Sequence, residues 1–230
     1  VPLLAVAGGW AALTVYRSGV LLSAGAWLHL DALAAYHLLI MLAVFALSSL
    51  YVPCYFRHEP AGHALQRADA RRFAALWYAT LSAMTLVMLS NNLGIMWVGV
   101  EATTLLTAFL ICLHVSPVSL EATWKYLIVC SVGVAFAFMG VLLTAAAAEP
   151  AIAGPAAVDA HLLHWTNMRS LAVSLDIKLL KPAFIFLLVG YGAKAGLAPM
   201  HGWLPDAHSQ APAPVSAVFS GFMLNMALYC

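Results

Sequence analysis

Long runs of apolar residues, separated by short polar stretches, extend along the whole chain. A helix needs about 20 such residues to cross the hydrocarbon core of a bilayer. Six runs reach or approach that length, and a seventh begins near residue 212. The six runs cover residues 1–16, 34–56, 73–91, 93–115, 120–145 and 182–199. This pattern predicts an all-α, polytopic bundle of about seven transmembrane segments that forms one membrane domain over residues 1–230.

The polar residues between these runs mark the helix connections. Asn91 and Asn92 predict a tight turn, which makes the runs on either side antiparallel neighbours. Ser116 and Pro117 precede the run at 120–145 and are typical of a helix start. The longest polar connection covers residues 146–181.

The composition supports an integral membrane protein. Hydrophobic residues make up 64% of the chain and charged residues 8%, whereas a soluble domain carries roughly 25% charged residues. The net charge of +1 argues against nucleic-acid binding. The four cysteines lie far apart with no CxxC motif, so we expect no disulfide framework and no zinc or iron–sulfur cofactor in this chain.

A cluster of arginines sets the predicted orientation. Residues 57–72 contain the densest group of cations in the chain, and such loops lie on the cytoplasmic side of membranes. Lys178 and Lys181 fall on the predicted outer side and run against this rule. Both ends of the chain lie in apolar runs, so we expect a fragment of a larger protein, truncated at both ends. The arginines of this loop are Arg57, Arg67, Arg71 and Arg72.

Apart from Glu121 in the first turn of its run, three charged residues remain inside the predicted membrane segments, namely Glu101, Lys125 and Lys194. At 1.5 Å per residue, Glu101 lies roughly 12 Å and Lys194 roughly 18 Å into its run. Each central charge costs on the order of 2.5–3.5 kcal/mol on insertion scales. Lys125 is shallower and can extend to the inner interface. Glu101 and Lys194 are therefore either an ion pair that holds helices together or a pair that exchanges protons.

The segment after Lys194 predicts a broken helix. Gly196 follows the lysine, and Pro199 and Pro205 each remove a backbone donor. Broken helices at membrane depth are tolerated only where they are buried in protein or line a wet cavity. We therefore expect Lys194 to meet water and to titrate. The ionisable residues that follow are His201, Asp206 and His208.

Metal and haem sites are weaker interpretations of the same residues. His201, Asp206 and His208 match no known metal-ligand spacing. A haem held by His37 and His114 is conceivable, but a lone histidine in a helix is more often hydrogen-bonded than a ligand. The stretch GYGAKAG matches neither a dinucleotide-binding fingerprint nor a phosphate-binding loop. We expect no metal in this chain.

Three motifs carry a family resemblance. The stretches YGAKAGLAPMHGWLPDAHSQAPAPVSA, WVGVEATTLLTAFLI and SLEATWKYLIVCSVGVAFAFMG resemble the antiporter-like, proton-conducting subunits of respiratory complex I and membrane-bound hydrogenases. The likeness is closest to the hydrogenase-4 component F branch, found beside formate hydrogenlyase-type enzymes, and spans about residues 73–230. The resemblance implies inverted repeats of helices, each with one broken helix.

The resemblance also implies roles for individual residues. Glu101 matches the glutamate of the family's fifth helix, Lys194 the lysine of the broken seventh, and Lys125 a lysine of the sixth. The first two would form the family's Glu–Lys pair. The chain would then hold the first proton-translocation unit of a larger subunit. Asn225 departs from the pattern, since several complex I members place a lysine there.

The implied assembly sits in the cytoplasmic membrane of a bacterium or archaeon. Its partners would be other membrane subunits and, through them, an iron–sulfur, nickel–iron or quinone-reducing module. The chain itself would carry no redox centre. Two alternatives remain open: a cation/proton antiporter or inorganic-carbon uptake subunit of the same fold, and a membrane scaffold that conducts nothing.

Overall fold

A computed structural model describes residues 2–23, 25–58, 67–149 and 163–230. Residues 59–66 of the Arg-rich loop and 150–162 of the long connection lie outside these ranges. The elements are α1 (Pro2–Ser18), β1 (Leu21–Ser23), β2 (Leu28–Leu30), α2 (Ala32–Arg57), α3 (Arg67–Leu89), α4 (Leu93–Ile111), α5 (Pro117–Ala148), α6 (Trp165–Ser170), α7 (Ile177–Ala195), α8 (Leu204–Gln210), α9 (Ala213–Val218), a π-helical turn (Phe219–Met223) and α10 (Leu224–Tyr229).

The predicted all-α membrane fold is confirmed. Among the described residues, four helices, α2 to α5, are long and apolar enough to cross a membrane. Two other predicted segments fall short of that standard for different reasons. Helix α1 has only 17 residues, and α7 carries three lysines, at 178, 181 and 194.

Polar side chains fix where the helices begin. The side-chain oxygen of Asn92 accepts hydrogen bonds from the backbone N–H groups of Gly94 and Ile95. Asn92 thereby caps the start of α4. Ser116 and Ser119 form a reciprocal capping box at the start of α5. These caps satisfy backbone donors that have no partner within the helix.

One end of the bundle is organised by Asn91. Its backbone N–H donates to the carbonyl of Trp27 in the turn between β1 and β2, at 2.9 Å. Its side-chain amide donates to Thr166 Oγ1 in α6, at 3.0 Å. The β-hairpin, which the apolar pattern did not predict, therefore lies beside the α3–α4 turn and α6. We call this the asparagine end.

Helices α5 and α7 pack with their backbones close together. A Cβ added at Gly133 would lie 2.6 Å from Ala193 Cβ, and one at Gly140 would lie 2.7 Å from Leu187 Cγ. Small residues allow such close approach between membrane helices. This packing fixes the position of Lys194, which follows Ala193 directly.

Helix α7 ends one residue after Lys194. Gly196 adopts φ 72° in the left-handed region, and the N–H of Leu197 donates to the carbonyl of Gly192 at 2.9 Å. This is the bonding pattern of a glycine-terminated helix end. Helical structure resumes at Leu204, with Pro205 in the first turn of α8. The chain between residues 196 and 203 is therefore not α-helical.

Candidate functional site around Lys194

Lys194 is wholly buried where α4, α5 and α7 meet. Its side chain is 0% exposed. The ammonium donates to the hydroxyl of Tyr126 in α5 at 2.6 Å and to Thr104 Oγ1 in α4 at 3.0 Å. It also lies 4.9 Å from the centre of the Tyr126 ring, on the side of the hydroxyl group. Neutral hydroxyl groups from two other helices therefore replace the water that the ammonium loses on burial.

A chain of hydroxyl groups continues from Tyr126 along α4. The Tyr126 hydroxyl and Thr107 Oγ1 lie 2.6 Å apart, and the Thr107 hydroxyl donates to the carbonyl of Thr103 at 2.6 Å. Thr103, Thr104 and Thr107 are all 0% exposed. Thr104 contacts Lys194 and Thr107 contacts Tyr126, so an otherwise apolar helix presents two hydroxyl groups to the buried lysine and its tyrosine partner.

Glu101 lies one turn before Thr104 on α4. Its Oε1 accepts from Ser131 Oγ in α5 at 3.2 Å. Its Oε2 is buried and has no hydrogen-bond partner. Because side chains three residues apart on a helix are neighbours, Glu101 borders the group that binds Lys194.

A direct ion pair between Glu101 and Lys194 is not formed. Among the described residues, the nitrogen–oxygen ion pairs within 4.0 Å are those of Arg72 with Asp69 and of Lys125 with two carboxylates. The ammonium is instead bound by two hydroxyl groups, and the carboxylate by Ser131. The lysine and the glutamate are adjacent members of one polar cluster rather than a contact pair.

Trp203 links the segment after the helix end to this cluster. Its indole N–H donates to the carbonyl of Ala193 at 3.0 Å, and its ring centre lies 4.9 Å from that of Tyr126. The side chain is 0% exposed. Trp203 therefore satisfies a carbonyl in the last turn of α7 and covers the side of the cluster that faces α8.

Lys125 belongs to a different environment from Lys194. Its ammonium lies 2.8 Å from Asp206 Oδ2 in α8 and 2.8 Å from Glu121 Oε1 one turn earlier in α5. The lysine and aspartate side chains are 49% and 41% exposed. The structure thus brings together Lys125 and Asp206, two of the predicted residues, at the end of the bundle opposite the asparagine end.

The remaining predicted residues surround that second end. His201 and Pro199 are exposed in the connection between α7 and α8. His208 is partly buried, with its ring centre 5.9 Å from that of Phe219 in an edge-to-face arrangement. Across the described ranges, no group of three or more His, Cys, Asp or Glu residues is placed to hold a metal ion.

Two further residues that the sequence singled out, Asn225 and His37, lie outside the cluster around Lys194. Asn225 lies on an exposed face of α10, where its amide donates to the carbonyl of Gly221 at 3.4 Å. His37 is hydrogen-bonded to the carbonyl of Leu33 at 2.9 Å, and its ring packs against Tyr229. Neither residue takes part in the cluster around Lys194.

Sequence reasoning missed the hydroxyl groups that bind Lys194. A signal was present on α4, because Thr104 and Thr107 recur at intervals of three residues from Glu101 in an otherwise apolar helix. Tyr126 carried no such signal. It follows Lys125 directly, and the rotation of about 100° per residue that 3.6 residues per turn implies directs it inward while the lysine stays at the surface.

Comparison with known proteins identifies the family. Residues 90–230 match the family described as NADH:quinone oxidoreductase/Mrp antiporter, TM. The hydrogenase-4 component F homolog of Methylacidiphilum infernorum is 44% identical over 183 residues, which cover 79% of this chain and 37% of that protein. The chain thus spans less than two fifths of the length of that relative.

Solved structures share the fold. The membrane-bound sulfane sulfur reductase, an archaeal respiratory membrane complex, matches 99% of this chain with a TM-score of 0.80 and 23% identity. The Mrp complex from Dietzia matches 99% with a TM-score of 0.79 and 18% identity. The alignments cover 44% and 40% of those chains. The resemblance inferred from the three motifs is therefore confirmed, and the chain belongs to the NADH:quinone oxidoreductase/Mrp antiporter transmembrane family.

Proposed function

We propose that this chain is part of a proton-translocating membrane subunit in a complex I-like or hydrogenase-4/formate hydrogenlyase-type assembly. Lys194 is the proton carrier of the unit. The observation that supports this role most directly is the wholly buried ammonium, which is held by neutral hydroxyl groups beside a glutamate whose Oε2 is buried. The relative named as a hydrogenase-4 component supports the type of assembly.

The surroundings of Lys194 suit a group that gains and loses a proton. Burial favours the neutral form of an amine, whereas a nearby carboxylate favours the charged form. Hydroxyl groups can accept from the ammonium and can also donate to the neutral amine. The site therefore binds both protonation states, which a proton carrier requires.

The proton reaches Lys194 from the end that carries Asp206, Arg71 and Arg72, which is the cytoplasmic side. Helices α7 and α8 form one interrupted membrane crossing, and the non-helical segment between them lines a wet access route. His201, His208 and the Lys125–Asp206 pair lie along this route. Lys125 transmits the change in charge to the next Glu–Lys pair of the assembly.

The energy for transport comes from partner subunits. Electron transfer in an iron–sulfur, nickel–iron or quinone-reducing module changes the charges that face the Glu101–Lys194 cluster, and this chain carries no redox centre itself. A cation/proton antiporter is the second candidate, supported by the fold shared with the Mrp complex. Proton transport without electron transfer, driven by a sodium gradient in vesicles, would identify that alternative.

The test compares three lysine variants in the complete assembly. We expect Lys194→Arg and Lys194→Ala to assemble and to lose redox-driven proton pumping by at least about tenfold, because arginine stays charged and alanine carries no proton. Lys181→Arg, on the exposed surface of the same helix, is the matched control and should pump normally. Pumping by Lys194→Arg at the wild-type rate would reject Lys194 as the carrier and favour a scaffold.

A further inference from the structure

The hydrogen bonds around Lys194 have a direction. An ammonium group only donates, so the Tyr126 oxygen must accept from Lys194. The Tyr126 proton is then free for Thr107 Oγ1, which lies 2.6 Å away. The Thr107 proton points to the carbonyl of Thr103. The chain therefore runs from the ammonium to Tyr126, to Thr107 and to a backbone carbonyl.

A chain that ends on a backbone carbonyl does not pass protons onward. The carbonyl accepts a hydrogen bond but has no proton of its own to release. What the chain does is fix the orientation of the Tyr126 hydroxyl, with a lone pair towards Lys194. Tyr126 is therefore a positioning residue, and Thr107 positions it in turn.

Glu101 offers a second acceptor one turn away. Its Oε2 is buried and has no partner, and it belongs to the helix turn next to Thr104, which Lys194 already contacts. A lysine side chain is flexible, with three rotatable donors at its end. The ammonium thus rests on neutral hydroxyl groups, and an unpartnered carboxylate oxygen belongs to the helix turn next to one of them.

We propose that Tyr126 and Thr107 form a holding position that keeps the Lys194 ammonium off Glu101, and that leaving this position controls when the two groups make contact. This inference rests on the proposed role of Lys194 as the proton carrier. Without the holding position, the ammonium binds to the carboxylate and stays there, because hydrogen bonds to charged acceptors are the stronger ones. Transport then slows although every charged group is still present.

The test uses three substitutions in the complete assembly. Tyr126→Phe removes only the hydroxyl group that accepts from Lys194. Tyr191→Phe is the matched control, because Tyr191 is also a buried tyrosine near Lys194, but its hydroxyl group has no hydrogen-bond partner. Thr107→Val removes the acceptor that orients Tyr126 and serves as a second variant if Tyr126→Phe fails to assemble.

Two quantities are measured for each variant: the rate of redox-driven proton pumping and the position of the Lys194 side chain in a high-resolution structure of the assembly. We expect Tyr126→Phe to slow pumping about tenfold or more, as for the loss of a hydrogen bond to a charged group. Its ammonium should move onto the Glu101 carboxylate. Thr107→Val should act in the same direction with a smaller effect, and Tyr191→Phe should match the wild type.

The outcomes separate this inference from the function on which it rests. Unchanged pumping in Tyr126→Phe, or slow pumping with Lys194 still away from Glu101, would overturn the holding position. An equal loss in Tyr191→Phe would also overturn it, since any buried hydroxyl would then matter. Normal pumping by Lys194→Arg would instead reject the proposed function, whatever the position of the amine in the tyrosine variants.

Discussion

At the scale of single residues, burial distinguishes two lysines that both fall within apolar runs. Lys194 is 0% exposed and bound by hydroxyl groups. Lys125 is 49% exposed and bound by two carboxylates. Exposed ion pairs usually stabilise a protein by less than about 1 kcal/mol, whereas a charged group buried without partners is far more costly. The hydroxyl groups around Lys194 are therefore what makes its position tolerable.

The charge of Glu101 should matter more than its hydrogen bond. We expect Glu101→Gln to keep the contact with Ser131 and to assemble, yet to lower proton pumping about a hundredfold, because the amide offers no charge to the lysine. Pumping is measured as proton uptake into vesicles that contain the complete assembly.

Glu121→Gln is the control for this substitution. Glu121 is 65% exposed and pairs with Lys125, so its loss should change stability by less than about 1 kcal/mol and leave pumping near the wild-type rate. If Glu101→Gln pumps as well as Glu121→Gln does, the Glu101 carboxylate has no part in transport.

At the scale of elements, the contact between α5 and α7 positions the site. Glycines at 133, 140 and 190 face the partner helix at distances that leave no room for a Cβ. This close packing brings Tyr126 of α5 within reach of Lys194 of α7. A shift between the two helices would break the hydrogen bond of 2.6 Å between Lys194 and Tyr126 before it affected the apolar contacts, because apolar contacts are less directional.

A methyl group at this contact should destabilise the protein. We expect Gly190→Ala to lower the free energy of unfolding by about 1–3 kcal/mol, because its Cβ would overlap the backbone nitrogen and Cβ of Ala137. Thermal unfolding of the detergent-solubilised assembly measures the change. Gly9→Ala is the control: a Cβ there has nothing within 4 Å, and alanine favours a helix by up to about 1 kcal/mol. Equal melting temperatures for the two variants would contradict the close packing.

At the scale of the whole molecule, the bundle has two distinct ends. The asparagine end joins the β-hairpin, the α3–α4 turn and α6 through the backbone and side chain of Asn91. The opposite end carries Arg71, Arg72, the Lys125–Asp206 pair and the connection between α7 and α8. Basic residues close to the ends of membrane helices favour the cytoplasmic side, so the second end should face the cytoplasm.

Cysteine labelling tests this orientation. We expect Arg72→Cys to react with a membrane-impermeant maleimide in inside-out vesicles only, because the Arg72 side chain is 79% exposed at the second end. Val173→Cys, which replaces a fully exposed residue near α6, should react only in right-side-out vesicles. Both are placed in a background with the four native cysteines changed to serine, since Cys54 is exposed. The opposite labelling pattern would reverse the proposed orientation.

The sequence by itself determined the fold class and the principal segments. Apolar runs of membrane length have few stable alternatives to helices, because every backbone polar group must be bonded within the bilayer. The helix starts at Leu93 and Pro117 follow local capping rules, and the glycine at 196 marks the end of α7. The charges at Glu101 and Lys194 were equally visible, because any charge in such a run is conspicuous.

Only the tertiary structure decided which groups those charges meet. The approach of α5 to α7 depends on the packing of glycines against a particular partner face, and it selects Tyr126 rather than Glu101 as the first acceptor for Lys194. In the same way, Asp206 meets Lys125 across 81 residues of sequence. Sequence patterns describe periodicity along one helix, whereas hydrogen bonds of less than 3 Å depend on rotations and shifts between helices that no local pattern specifies.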